Sequence, residues 1–179
     1  MEESKNELQS MEEVDTNTGE IVQNNSQREQ IIEETENYVT VKLADGTFKR
    51  KAKYHEFSSF QPETREDKLW LFSLIDGEEE VGQGMAENVG EHVEIQDIIT
   101  KTYSTIDEKT GEEIHGVLTY LITPDRKAYV TSSKGVYFSI MNLMDLFGTP
   151  NDELWENITV EILSERTQNG TAIKLKMIK

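Results

Sequence analysis

His92 and Glu94 stand two residues apart, the spacing at which zinc deaminases pair a metal ligand with a general acid–base. Those sites also require cysteine thiolates on the metal. The chain has no cysteine, so thiolate zinc sites, disulfides and a thiol nucleophile are excluded together. The other two histidines, His55 and His115, fall in separate segments and form no HExxH pair. There is no glycine-rich phosphate loop ending in Lys-Ser or Lys-Thr, and no GxSxG elbow. The acidic run from Asp76 to Glu80 lacks the alternating ligand spacing of a calcium loop and reads as a solvated turn. Neither catalysis nor a metal or other cofactor is expected.

What remains is the chemistry of non-covalent binding. Lys101 and Tyr103 share one face of a predicted strand, alternating with Thr100 and Thr102. Tyr120 lies on the next strand, and Arg126, Lys127 and Tyr129 surround the third. Lys134 opens a predicted helix, while Arg166, Lys174 and Lys176 decorate the last hairpin. Lys49, Arg50 and Lys51 form a separate basic run. Cations that track a phosphate backbone, with aromatic rings on which bases stack, are how single-stranded nucleic acid is held. Each group also has a plainer reading. Tyr120 and Tyr129 serve equally well as core or rim residues, Tyr137 and Phe138 as packing beside a helix stripe, and the 49–53 basic run as protection for a strand edge.

A formal charge of −17 opposes nucleic-acid binding, because phosphate repels a uniformly acidic surface. The charge is not uniform. Residues 1–36 hold eleven acids against Lys5 and Arg28, and Asp76 to Asp97 holds eight acids and no Lys or Arg. The rest of the chain is balanced, and its bases cluster. Lys42, Lys49, Arg50, Lys51 and Lys53 face only Asp45, and the last fourteen residues carry Arg166, Lys174, Lys176 and Lys179 with no acid.

These residues need elements to position them. Hydrophobic residues make up 35% of the chain, low enough to imply an unfolded portion. Residues 1–36, polar and without aromatics, are expected to be a disordered acidic tail, with Ser26 to Glu29 as a capping box for one local helix ahead of Ile31 and Ile32. The 37–179 remainder is expected to be one domain, with its barrel core over about 68–179. Tyr38 to Leu43 alternates, Asp45-Gly46 turns, and Thr47 to Tyr54 returns, which predicts a hairpin. Residues 56–67 read as loop, and Lys68 to Ile75 as a short apolar run. Met85 to Val89 reads as one helical turn closed by Gly90.

Ile95 to Ile106, Gly116 to Thr123 and Lys127 to Thr131 read as three strands. In the second, Val117, Thr119 and Leu121 share one face and Leu118, Tyr120 and Ile122 the other, so both faces are partly apolar. Val136, Ile140, Leu143, Met144 and Phe147 then follow helical spacing, capped by Ser132 or Ser133 and ended by Gly148 and Pro150. Ile158 to Leu163 and Thr171 to Ile178 form a closing hairpin around Asn169-Gly170. Its Ile173, Leu175 and Met177 are expected inward, with Lys174 and Lys176 outward. A mainly β fold is expected: a five-stranded Greek-key barrel of the OB type with its helix between strands three and four, preceded by an N-terminal hairpin, the alternatives being a mixed α+β sandwich or another small closed barrel.

Val93-Glu94-Ile95-Gln96-Asp97-Ile98-Ile99, the Asp107–Glu112 loop, and Thr119–Pro124 leading to Lys127-Ala128-Tyr129 carry a resemblance. So do Ser132-Ser133-Lys134-Gly135-Val136, Leu146-Phe147-Gly148-Thr149-Pro150, Ile158–Ile162 and Glu165–Gly170 before a lysine-rich last strand. In these the chain resembles the small OB-fold single-stranded DNA-binding proteins of phages and mobile plasmids of Gram-positive bacteria. The resemblance covers about half the chain and implies a protein that coats exposed single strands in replication or recombination. It supplies no catalytic residues. The long N-terminal extension departs from it; there the acidic tail is expected to compete with DNA and to recruit replication or recombination proteins.

The alternative reading is an acidic protein-interaction module or DNA mimic acting on a host protein, which the overall charge favours and the basic clusters oppose. Met1 runs directly into Glu2, Glu3 and Lys5, so no signal peptide or membrane association is expected. The expected location is the bacterial host cytoplasm. Oligomeric state stays open.

Overall fold

An Asp-Gly pair between two alternating runs is a compact hairpin signal because glycine accepts a positive φ without steric cost. In the computed structural model Gly46 adopts φ +84°, and the Asp45 carboxylate accepts from the Thr47 amide (2.8 Å) and hydroxyl (2.7 Å). The structure describes residues 13–14, 21–22, 30–35, 38–77, 81–108, 110–111, 113–167 and 170–178. The chain divides into two units, Met1–Lys53 and Tyr54–Lys179.

In the first unit, β1 (Glu13–Val14) pairs antiparallel with β2 (Ile21–Val22). A second antiparallel sheet has the order β3 (Gln30–Glu34), β4 (Tyr38–Lys42), β5 (Phe48–Ala52). The predicted hairpin is thus β4–β5. Most of the tail expected to be disordered, including the Ser26–Glu29 box, lies outside the described residues. Where it is described, Gln30–Glu34 is a strand and not a helix. The edge of β4 offers unpaired backbone groups, and the β-branched Ile31-Ile32 pair suits a strand bonded there.

The second unit opens with β6 (Phe57–Ser58) and α1 (Arg65–Asp76), then β7 (Gly82–Gly84) and a single 3-10 turn at Met85–Glu87. β8 (His92–Glu94), β9 (Asp97–Ile106), β10 (Glu113–Ile122) and β11 (Ala128–Thr131) lead to α2 (Lys134–Phe147), and β12 (Thr159–Thr167) and β13 (Gly170–Met177) close the chain. One sheet has the order β6-β9-β10-β11-β7 and the other β13-β12-β8. All pairs are antiparallel except β11–β7.

The predicted first strand, Ile95–Ile106, is β9 from Asp97 onward, and a further short strand, β8, precedes it. β8 joins one sheet and β9 the other, and the chain bends between them at Ile95-Gln96. The Ile95 amide donates to the Ile158 carbonyl and the Gln96 amide to the Ile122 carbonyl, each at 2.8 Å. The buried Trp155 indole donates to the Ile95 carbonyl at 3.1 Å. Each peptide at the bend is therefore satisfied by a different element, which fixes the corner.

Two clusters fill the unit. Val93, Ile98, Leu121, Tyr129, Val136, Ile140, Trp155, Val160, Ile162 and Ile173 join both sheets to α2. On the opposite face of the larger sheet, Leu74 of α1 packs with Ile99, Tyr120, Ile122 and Ala128, and Trp70 and Leu71 lie against them. The two apolar faces expected of β10 are both used.

The apolar run Lys68–Ile75 is helical: α1 takes it together with the last three residues of the loop expected over 56–67, and β6 takes Phe57–Ser58 from that loop. Thr64 accepts from the Asp67 amide at 3.0 Å while the Asp67 carboxylate accepts from the Thr64 amide at 2.9 Å, a reciprocal capping box. Gly77 ends the helix at φ +85°. For α2 the N-cap is Ser133, as expected, but its hydroxyl makes no cap bond. It donates instead to the Ile173 carbonyl at 2.8 Å, tying α2 to β13. No described helix is long and apolar enough to cross a membrane.

Candidate nucleic-acid interface

Successive side chains on a strand point to opposite faces, and this parity sorts the candidate residues. Ile98 and Leu121 face the core shared with α2, whereas Ile99 and Tyr120 lie under α1. Lys101 and Tyr103 continue that outer face toward the tip of the β9–β10 hairpin, opposite Leu118 and Gly116 respectively. A Cβ at position 116 would collide with the Tyr103 ring, so the phenol rests across bare backbone. Tyr103 is 37% exposed. Lys101 is half-buried. Its charge helps hold the Glu56 carboxylate below its usual range, although hydrogen bonds from the Thr102 hydroxyl and amide do most of that.

Tyr120 and Tyr129 are corrections. Tyr120 is only 3% exposed because the unforeseen helix α1 covers it, so it offers no ring face for stacking. Burial pushes its hydroxyl pKa up. Tyr129, 4% exposed, points into the main core, and its hydroxyl donates to Glu91 at 2.5 Å. Burial first, and then Glu91, raise that hydroxyl to about 12.

Four of the remaining cations already hold a carboxylate. Arg126 sits in the turn after β10 at φ 63° and pairs with Asp67, fastening the first turn of α1 to that turn. Asp67 is held down at about 2, chiefly by the Thr64 amide and hydroxyl and then by Arg126. Lys127 lies 3.6 Å from Asp125. Lys174 pairs with Glu165, and Lys176 lies 3.4 Å from Glu161. Lys174 and Lys176 do point outward as expected, but Met177 is 41% exposed instead of inward. It lies at the end of the hairpin, where it lines a recess with His92, Glu161, Lys176 and Ile178. Lys134 and Arg166 are exposed.

Lys49, Arg50 and Lys51 belong to the first unit, on the edge strand β5. The Arg50 guanidinium stands 4.1 Å from the centre of the Tyr38 ring, a cation–π contact across the hairpin.

The structure thus brings Lys101 and Tyr103 together on one outer face, and Lys174 and Lys176 on another. It withdraws Tyr120 and Tyr129. The acids that pair with the cations, Asp67, Glu161 and Glu165, were not anticipated, although Thr64-x-x-Asp67 was a readable capping signal. The half-buried Phe60–Trp70 ring pair, 5.3 Å between centres, is a further aromatic feature beside the outer face.

Residues 50–177 match the sequence profile of a family described as phage single-stranded DNA-binding protein. This chain belongs to that family. It is also 39% identical over 150 residues to the single-stranded DNA-binding protein of Bacillus phage GA-1, a match covering 83% of this chain and 88% of the relative. No solved structure matches. The family match begins within β5, so the whole of the acidic tail, residues 1–36, lies outside it.

Proposed function

We propose that the chain binds single-stranded DNA exposed during phage replication or recombination, in the host cytoplasm, and performs no reaction on it. The observation that carries this reading is the Lys101–Tyr103 pair on the outer face of β9, a cation beside a supported aromatic ring, within a chain of this family. Such a pair suits a phosphate and its neighbouring base. Lys134, Arg166, Lys174 and Lys176 extend the contact, and Lys49, Arg50 and Lys51 on the basic hairpin add phosphate contacts.

The second unit is read as an OB-type barrel. Three antiparallel strands, a helix and a hairpin occur in that order, and the consecutive strands β8 and β9, on either side of the bend, take the chain from one sheet into the other. Among the described residues β11 pairs with β7, and no β11–β13 ladder closes the barrel. The acidic tail is assigned to partner proteins and to competition with DNA for the cations. Replacing Glu2, Glu3, Glu7 and Glu12 with glutamine is then expected to tighten DNA binding at low salt.

Anisotropy of a labelled oligo-dT, titrated with the full chain at low and moderate salt beside a duplex control, tests the function. Selective single-strand binding is expected, with a slope of about −0.7 in log K against log salt for each phosphate contacted. Absence of binding even at low salt would favour the acidic interaction module, which a net charge of −17 otherwise supports.

A further inference from the structure

The outer face of the β12–β13 hairpin carries its lysines and its glutamates in register. Lys176 is the direct cross-strand partner of Glu161, and Lys174, opposite Leu163, pairs with Glu165 one step along the same face. Their neighbours Ile162 and Ile173 are buried in the core, which forces both lysines and both glutamates outward. Glu161 is the more enclosed of the acids, with its side chain 26% exposed. On its other flank it is paired in register with His92 of β8. A recess of about 450 Å³ opens beside the Lys176–Glu161 pair, with Met177 and Ile178 as apolar lining.

We propose that Glu161 and Glu165 are resident stand-ins for DNA phosphate. In the free protein each carboxylate holds one lysine of β13; on binding, a phosphate takes the lysine and the carboxylate is released to water. One charge-assisted pair is exchanged for another, so the gain at each lysine is only the difference between them. The recess beside Lys176 receives one nucleotide, its phosphate toward the ammonium and its sugar or base toward Met177 and Ile178. These two acids thereby set affinity low enough for the strand to be given up again. This rests on the proposed DNA binding, and it assigns the tuning of that binding to two residues that carry the wrong charge for it.

The test is oligo-dT titration of the full chain with Glu161→Gln/Glu165→Gln, with Lys174→Gln/Lys176→Gln and with all four substitutions, next to the wild type. A control pair, Asp145→Asn/Glu153→Gln, removes the same charge from exposed acids elsewhere. The glutamate variants are expected to bind about two- to fivefold tighter per carboxylate, the range of an exposed ion pair. The lysine substitutions are expected to cost more without the glutamates than with them, a coupling the four-way cycle measures directly. At moderate salt, where distant charges are screened, the control pair is expected to have no effect while the glutamate effect persists. Equal tightening by the control pair, or none by the glutamate pair in a variant that melts like the wild type, would overturn the proposal. Wild type that fails to bind would instead remove the DNA-binding reading beneath it.

Discussion

The Tyr103 phenol lies across Gly116, its cross-strand partner, in space that any Cβ would occupy. The glycine is a seat for the ring and holds one face of it against the sheet while the remainder stays open. Tyr103→Ala is expected to weaken oligo-dT binding by about five- to a hundredfold, the worth of one stacked base, with little change in melting temperature. Tyr103→Phe should retain binding. Gly116→Val, which evicts the ring without removing it, should resemble Tyr103→Ala. These are read by anisotropy, with circular dichroism melts as the check on folding.

Tyr120 should behave in the opposite way. Its ring is sealed under Leu74 and Ile99, so Tyr120→Ala should destabilise the protein by about 3–5 kcal/mol, as large aromatic truncations in a core do. Tyr120→Phe should leave DNA affinity within about twofold. Urea denaturation and oligo-dT titration of the same preparations separate the two roles.

Asp67 makes stability depend on pH in a defined window. Its folded pKa is lowered to about 2, whereas an unfolded aspartate titrates at about 3.9. The stabilisation is complete above the unfolded value and is lost as pH falls from about 4 toward 2. Wild type should therefore exceed Asp67→Asn in urea midpoint at neutral pH, and the gap should shrink across that window. A gap that stays constant down to pH 2 would contradict the assigned role.

Thr119 is wholly buried, and its hydroxyl has no hydrogen-bond partner among the described residues. An unsatisfied buried hydroxyl costs stability that an apolar isostere recovers. Thr119→Val is expected to raise unfolding free energy by about 1 kcal/mol, measured by urea titration, with DNA affinity unchanged.

The strands were legible wherever one physical signal acted alone. Asp45-Gly46 fixed a hairpin because only the turn chemistry mattered there, and the 136–147 stripe marked α2 because its period is that of one helix face. α1 was hidden for the opposite reason. Trp70, Leu71 and Leu74 bury one side while Leu69 and Phe72 stay exposed, so the apolar residues fill the run without a clean period. Missing that helix left Tyr120 on an open face. The lysines at 174 and 176 were correctly placed outward by alternation. Their carboxylate partners come from β12, and only the register of the hairpin reveals them.

The corner at Ile95-Gln96 bears on how the molecule assembles in time. β9–β10 and β12–β13 close between neighbours in sequence, but β8 meets β12 through Glu94 and Thr159, with about half of the unit looped between them. Loop-closure entropy grows with that separation and has to be met before the contacts return anything. The two hairpins and α2 are therefore the early structures, and the late, slow event is their docking around the corner that joins both halves. Once Trp155 engages the Ile95 carbonyl, neither half can open without disrupting the corner that joins them, so the second unit is built to unfold as one cooperative block.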